Sequence, residues 1–201
     1  RSEAATSPAA AAPHDPELRA RWDALLASIA QLTKPDDATL DPVDAEVTSL
    51  ADALDNSEAR LAALLFERWA NALDEKFHRP DRALEPYARA AQIFRALRDE
   101  SSAARVAHDL GVVYADLSHF EEALSEYEKA ALHYEAMGDW GNLAGIAINR
   151  GGVYGRLLRF EAALSEYEKA AQVYETLEDR ERLAVIAVNR GGVDQQLSHF
   201  E

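Results

Sequence analysis

Apolar residues recur along this chain at helical spacing, and polar residues fill the positions between them. Leu18, Trp22, Leu25, Ile29 and Leu32 form one apolar stripe, and Val43, Val47, Leu50 and Leu54 form a second. Leu61, Leu64, Leu65, Trp69 and Leu73 form a third, ending near Phe77. Each fits one face of an α-helix. Asp15-Pro16-Glu17 predicts the start of the first helix, with Asp as cap and Pro at the first helical position. Lys34-Pro35-Asp36-Asp37 breaks it, Asp41-Pro42 predicts the next start, and Asn56-Ser57 interrupts again.

From Leu110 the pattern becomes a repeat. LGVVYADLSHFEEALSEYEKAALHYEAMGD is followed, 40 residues later, by RGGVYGRLLRFEAALSEYEKAAQVYETLED from Arg150; roughly 23 of 40 aligned positions are identical. A third copy opens at Arg190 as RGGVDQQLSHFE. Leu110, Gly111 and Tyr114 share one helix face; Ala123, Tyr127, Ala130 and Tyr134 share a face of a second helix. Small residues let two backbones approach while large ones fill the space beside them. Ser118 with Glu121 has the spacing of a capping box, as does Ser198 with Glu201, and Gly138-Asp139 closes one helix and caps the next. The unit is helix, turn, helix, turn. One pair cannot hide its own apolar face, so pairs stack.

Leu110-Gly111-x-x-Tyr114, then Ala123-x-x-x-Tyr127 and Ala130, resembles the tetratricopeptide repeat (TPR), and Gly151, Tyr154, Ala163, Tyr167 and Ala170 repeat the match. The 40-residue period resembles the longer-helix subclass of kinesin light chains and bacterial regulators. Arg150 and Arg190 stand where the motif prefers Leu, Asp194 replaces the third Tyr, and no Pro ends the second helix. A degenerate earlier copy runs through Ala83, Tyr87 and Ala90, with Asn71 at the motif glycine. The resemblance implies an all-α superhelix, a TPR-like solenoid. The expected parts are a disordered tail over 1–14, two capping helices over 15–56, and an array over 57–201. The array divides into a degenerate repeat (57–99), two full repeats (100–138 and 139–178) and a truncated one (179–201).

Composition narrows the function. A net charge of −15 disfavours nucleic acid and anionic membrane surfaces, both of which need Lys and Arg. With no Cys there is no disulfide framework or Cys-based zinc site. No apolar run approaches a membrane span, and no signal peptide is visible, so a cytoplasmic location is expected. Abundant Ala and an excess of Arg over Lys hint, by association, at a bacterial source. Gly152, Gly155 and Gly192 are mid-helix and form no phosphate loop. His119 and His199 occupy equivalent turns, while His108, Asp109 and His133 make a weak metal set. No catalytic motif, cofactor site or metal site is read, and the chain is expected not to be an enzyme.

The resemblance places the first helix of each repeat on the concave face. There stand Arg105, His108, Asn149, Arg156, Asn189 and Gln196. The second helices carry most of the Glu residues, so the inner face should be less acidic and accept a neutral or acidic peptide. Asn149 and Asn189 share a repeat position, two before the glycine motif, where related arrays hold a peptide backbone by paired donor and acceptor contacts; the alternative is a bond to a neighbouring helix. Arg150 and Arg190 are expected to pair with Glu on adjacent helices. The function expected is a scaffold for a protein or peptide partner. Alternatives are a sensor or regulatory arm of a larger bacterial enzyme, such as a protease or signalling ATPase, and self-assembly. Leu183, Ile186 and Val193 near the third copy need cover, which predicts either further chain after Glu201 or a homo-oligomer through that end.

Overall fold

The structure is a computed structural model that describes residues 12–54 and 57–198. The first eleven residues of the expected tail, the break at Asn56, His199, and the Ser198–Glu201 pairing lie outside them. The described residues contain no strand. The chain divides into two compact units, Arg1–Arg98 and Asp99–Glu201.

The first unit holds α1 (Pro16–Gln31), α2 (Asp37–Ala53), α3 (Ala59–Asn71) and α4 (Pro80–Ala96). Asp15 caps α1, accepting hydrogen bonds from the Glu17 and Leu18 amides. Pro13 is buried, and the exposed His14 bonds Glu58 through its amide and its ring. The second helix begins earlier than Asp41-Pro42 suggests. Asp36 is its cap, bonding the Thr39 amide and hydroxyl, and Pro42 lies inside the helix. Tertiary ion pairs hold that first turn: Asp37 binds Arg79 and Arg82, and Asp41 and Asp44 bind Arg82. After Asn71, α3 widens into a π-helical turn, Ala72–Lys76. Lys76 there donates to the Ile29 and Ala30 carbonyls at the end of α1.

The second unit holds α5 (Glu100–Asp116), α6 (Phe120–Met137), α7 (Trp140–Arg156), α8 (Phe160–Thr176) and α9 (Arg180–Leu197). Helices α5 and α6 pair, α7 and α8 pair, and α6 and α8 each pack on the helix that follows. The first helices also touch in a row, α5 to α7 and α7 to α9. Gly111 and Gly151 explain the close pairing. A Cβ at Gly111 would sit 2.5 Å from the Tyr127 ring, and one at Gly151 would sit 2.6 Å from the Tyr167 ring. In the first unit Asn71 holds the corresponding place, and its side chain accepts a hydrogen bond from Tyr87. Tyr114 and Tyr154 are half-buried against the cores of their own repeats rather than turned to water. Each core joins a hairpin to the next first helix: Tyr127 and Ala130 pack with Ile146, and Tyr167 and Ala170 with Ile186.

The turns differ from expectation at one point. Ser118 does not cap α6. It takes the left-handed conformation (φ 63°) after α5, and His119 occupies the cap position without a side-chain cap bond. Left-handed residues recur at His78, Arg98, Ser118, Gly138, Leu158 and Glu178, one every 20 residues, and only one is Gly. Such a residue closes a helix by letting the next amides reach back: His119 bonds the Tyr114 carbonyl, Arg159 that of Tyr154, and Asp179 that of Tyr174. The first helices are capped differently, by Asp99, Asp139 and Asp179.

Candidate functional site

The six expected groove residues fall into two places. His108 of α5 and Asn149 of α7 meet directly, with Asn149 Nδ2 2.8 Å from His108 Nε2. Burial lowers the His108 pKa, which favours the neutral ring and leaves Nε2 free to accept from the amide. The ring also lies 6.0 Å from that of Tyr127, and Nδ1 is 3.8 Å from Asp109. Asn149 therefore makes the interhelical bond weighed above as the alternative to a peptide ladder. Arg105 is exposed on α5, close enough to Tyr134 for its charge to oppose the rise in that phenol's pKa caused by burial. His133 pairs with Glu100 at 3.2 Å rather than with His108.

Asn189 is placed otherwise. The position that holds His108 holds Ile148 one repeat later, so the interhelical partner is missing. Asn189 instead lines a trough between α7 and α9, together with Arg156 and Gln196. The trough has a volume of about 490 Å³. Gly152, Gly155 and Gly192 leave its walls low, Phe120, Tyr167, Val188 and Val193 supply apolar surface, and no Asp or Glu is among its lining residues. Arg156 is already engaged: it donates to the Ala115 carbonyl and the Ser118 hydroxyl, and its guanidinium lies 4.7 Å from the Phe120 ring centre. It thus ties the α5 terminus to α7 and presents its remaining edge to the trough.

The expected arginine pairings are present. Arg190 bonds Glu168 at 3.0 Å, and Arg150 lies 3.7 Å from Glu166. No group of three or more potential metal ligands occurs among the described residues. None of their helices is long and apolar enough to cross a membrane.

No family model matches the sequence, and no curated protein matches it. Solved structures do. BtubC (BKLC) from P. vanneervenii is 19% identical with a TM-score of 0.66, over 92% of this chain and 86% of that one. Aspartyl phosphate phosphatase F from Bacillus subtilis is 10% identical with a TM-score of 0.68, over 92% of this chain and 48% of that one. A STAND signal-transduction ATPase with a tetratricopeptide repeat sensor, from Pyrococcus horikoshii, is 13% identical with a TM-score of 0.52, over 86% and 32%. The fold is that of the tetratricopeptide repeats. At these identities the likeness is one of architecture, and it agrees with the Gly111–Tyr127 and Gly151–Tyr167 contacts that define each TPR hairpin here.

Proposed function

We propose that this TPR chain is a protein-interaction module that seats an extended, neutral or acidic segment of a partner in the α7–α9 trough. The supporting observation is the trough's lining: amides from Asn189 and Gln196, a guanidinium from Arg156, glycines at the walls and no carboxylate, in a chain of net charge −15. Asn189 can give and accept a hydrogen bond to one peptide unit of the ligand and so set its register. The low glycine walls let a backbone come close. His108, Asn149 and Arg105 extend the same row of first helices, with Asn149 held by His108. The mechanism is stoichiometric binding, without catalysis.

Gly192→Phe tests this. A Cβ at Gly192 meets nothing within 4 Å, so the ring enters the trough without disturbing the packing. Panning a displayed peptide library should give a consensus for the wild type. That peptide should lose binding to Gly192→Phe and weaken about tenfold with Asn189→Ala. Undiminished binding to Gly192→Phe would refute the site. For an acidic ligand, affinity should fall with added salt.

A second reading has its own support. The chain spans 48% of the phosphatase and 32% of the STAND protein, whose repeats are described as a sensor. A regulatory arm of a larger protein fits the same trough, and reading the flanking coding sequence distinguishes it.

A further inference from the structure

The second helices enclose a separate groove. Its walls are α6 and α8 and its floor is α7. The floor is apolar, made by Leu143, Ala144, Ile146 and Ala147, and Ala131 and Val173 continue that surface up the two walls. On the α6 wall Glu128, Leu132 and Glu135 stand at i, i+4 and i+7, along one ridge. Leu132 is 61% exposed, so an apolar knob stands in water between two carboxylates.

The charges across the groove are unequal. Glu166, on α8, is buried, and it is neutralised by Lys169 at 2.7 Å and by Arg150 at 3.7 Å. The cations lining the groove are thereby spent on that one buried carboxylate. Glu128 and Glu135 are both exposed and make no ion pair among the described residues. The groove is therefore apolar along its floor, balanced on the α8 side and uncompensated on the α6 side.

We propose that this groove docks a basic amphipathic helix of a partner protein. Its apolar stripe packs on the exposed Leu132 and the half-buried Ala131, Leu143 and Val173, and Lys or Arg residues two turns apart on its edge pair with Glu128 and Glu135. Helix-in-groove recognition needs such a trough, and spacing by seven residues matches two helical turns on both partners. A second copy of this chain is a poor occupant, since like charges would face each other across the contact. This site is distinct from the α7–α9 trough and does not depend on it.

The test uses the whole chain and a fluorescein-labelled helical peptide of Leu and Lys, followed by fluorescence anisotropy. Glu128→Gln with Glu135→Gln should weaken binding about tenfold or more. Leu132→Ser should weaken it at least about threefold. Glu121→Gln with Glu122→Gln removes the same charge from the same helix away from the groove, and should cost less than about twofold. Gly192→Phe should leave this peptide's affinity unchanged. All these positions, Gly192 included, are exposed helix surface, and circular dichroism checks that helicity is retained. Equal weakening by the two double variants would reduce the attraction to general charge and overturn the proposal. So would an unaltered affinity in Leu132→Ser, or no binding by the wild type.

Discussion

The tight hairpins make an unusually clean prediction, because one sequence, Asn-Arg-Gly-Gly-Val, occurs at 149–153 and again at 189–193. Gly151 and Gly191 are equivalent in the repeat, lie inside helices of similar length and have identical neighbours. Replacing either by Ala gains about 1 kcal/mol of helix propensity. Their surroundings differ. At Gly151 the new methyl would meet Tyr167 ring carbons at 2.6, 2.9 and 2.9 Å. Carbon atoms settle at about 3.5–4.0 Å, so the ring must retreat by roughly 1 Å. Tyr167 is only 2% exposed and packed on all sides, which leaves it no free direction. Overpacking of this kind costs about 1–3 kcal/mol. At Gly191 a methyl meets nothing within 4 Å. The propensity gain is common to both variants and cancels, so in the 201-residue chain Gly191→Ala should exceed Gly151→Ala in stability by about 1–3 kcal/mol. Urea denaturation followed by far-ultraviolet circular dichroism measures the difference. Adding Tyr167→Leu should remove the penalty of Gly151→Ala, a coupling visible in a double-mutant cycle. Equal stabilisation by the two single Ala substitutions would refute the account of why position 151 is glycine.

Two further outcomes follow from electrostatics. Arg82→Met should cost the first unit about 1 kcal/mol at neutral pH, since Arg82 joins Asp37, Asp41 and Asp44. Hydrogen bonds from Arg79 and Arg82 hold the Asp37 pKa below its usual 3.8, so the part of that contribution made through Asp37 is complete above about pH 4 and is lost as pH falls through the folded value. Urea melts followed by Trp fluorescence should therefore show the gap between variant and wild type closing in acid; a gap independent of pH would count against the ion-pair explanation. His108 should titrate below 6.5 by NMR, because burial opposes its charging. Its neutral form supports folding above pH 6.5 and that support is lost as pH drops through the folded pKa; a measured value above 6.5 would contradict the Asn149-to-His108 hydrogen bond as oriented here.

Much of the architecture was legible from short-range pattern. The Gly138-Asp139 punctuation, the Asp15 cap, the stripes on α1 to α3 and the Ala123-Tyr127-Ala130 face are all governed by neighbours three or four residues away, which the chain displays directly. Ser118 departs from the capping-box expectation because a Ser followed by Glu three residues on has that spacing whether or not it caps, while a left-handed Ser leaves no mark in the sequence. The repeated left-handed positions at Arg98, Leu158 and Glu178 are silent for the same reason. The start of α2 was placed late because its first turn depends on Arg79 and Arg82, some 40 residues distant.

The site divides along the same line. Sequence alone placed Asn149 and Asn189 at one repeat position, and it placed Arg150 and Arg190 opposite glutamates. It determined the helical hairpin, its 40-residue period and the pairing of small with large residues, since all of these arise from spacing along one helix or from comparison of one copy with the next. Only the tertiary structure decided that Asn149 is occupied by His108 while Asn189 faces a trough. It also decided that the two cations lining the α6–α8 groove, Arg150 and Lys169, both lie against Glu166. Those outcomes turn on which side chain stands across a helix interface, such as His108 in one repeat and Ile148 in the next, and helix periodicity says nothing about what lies on the other side.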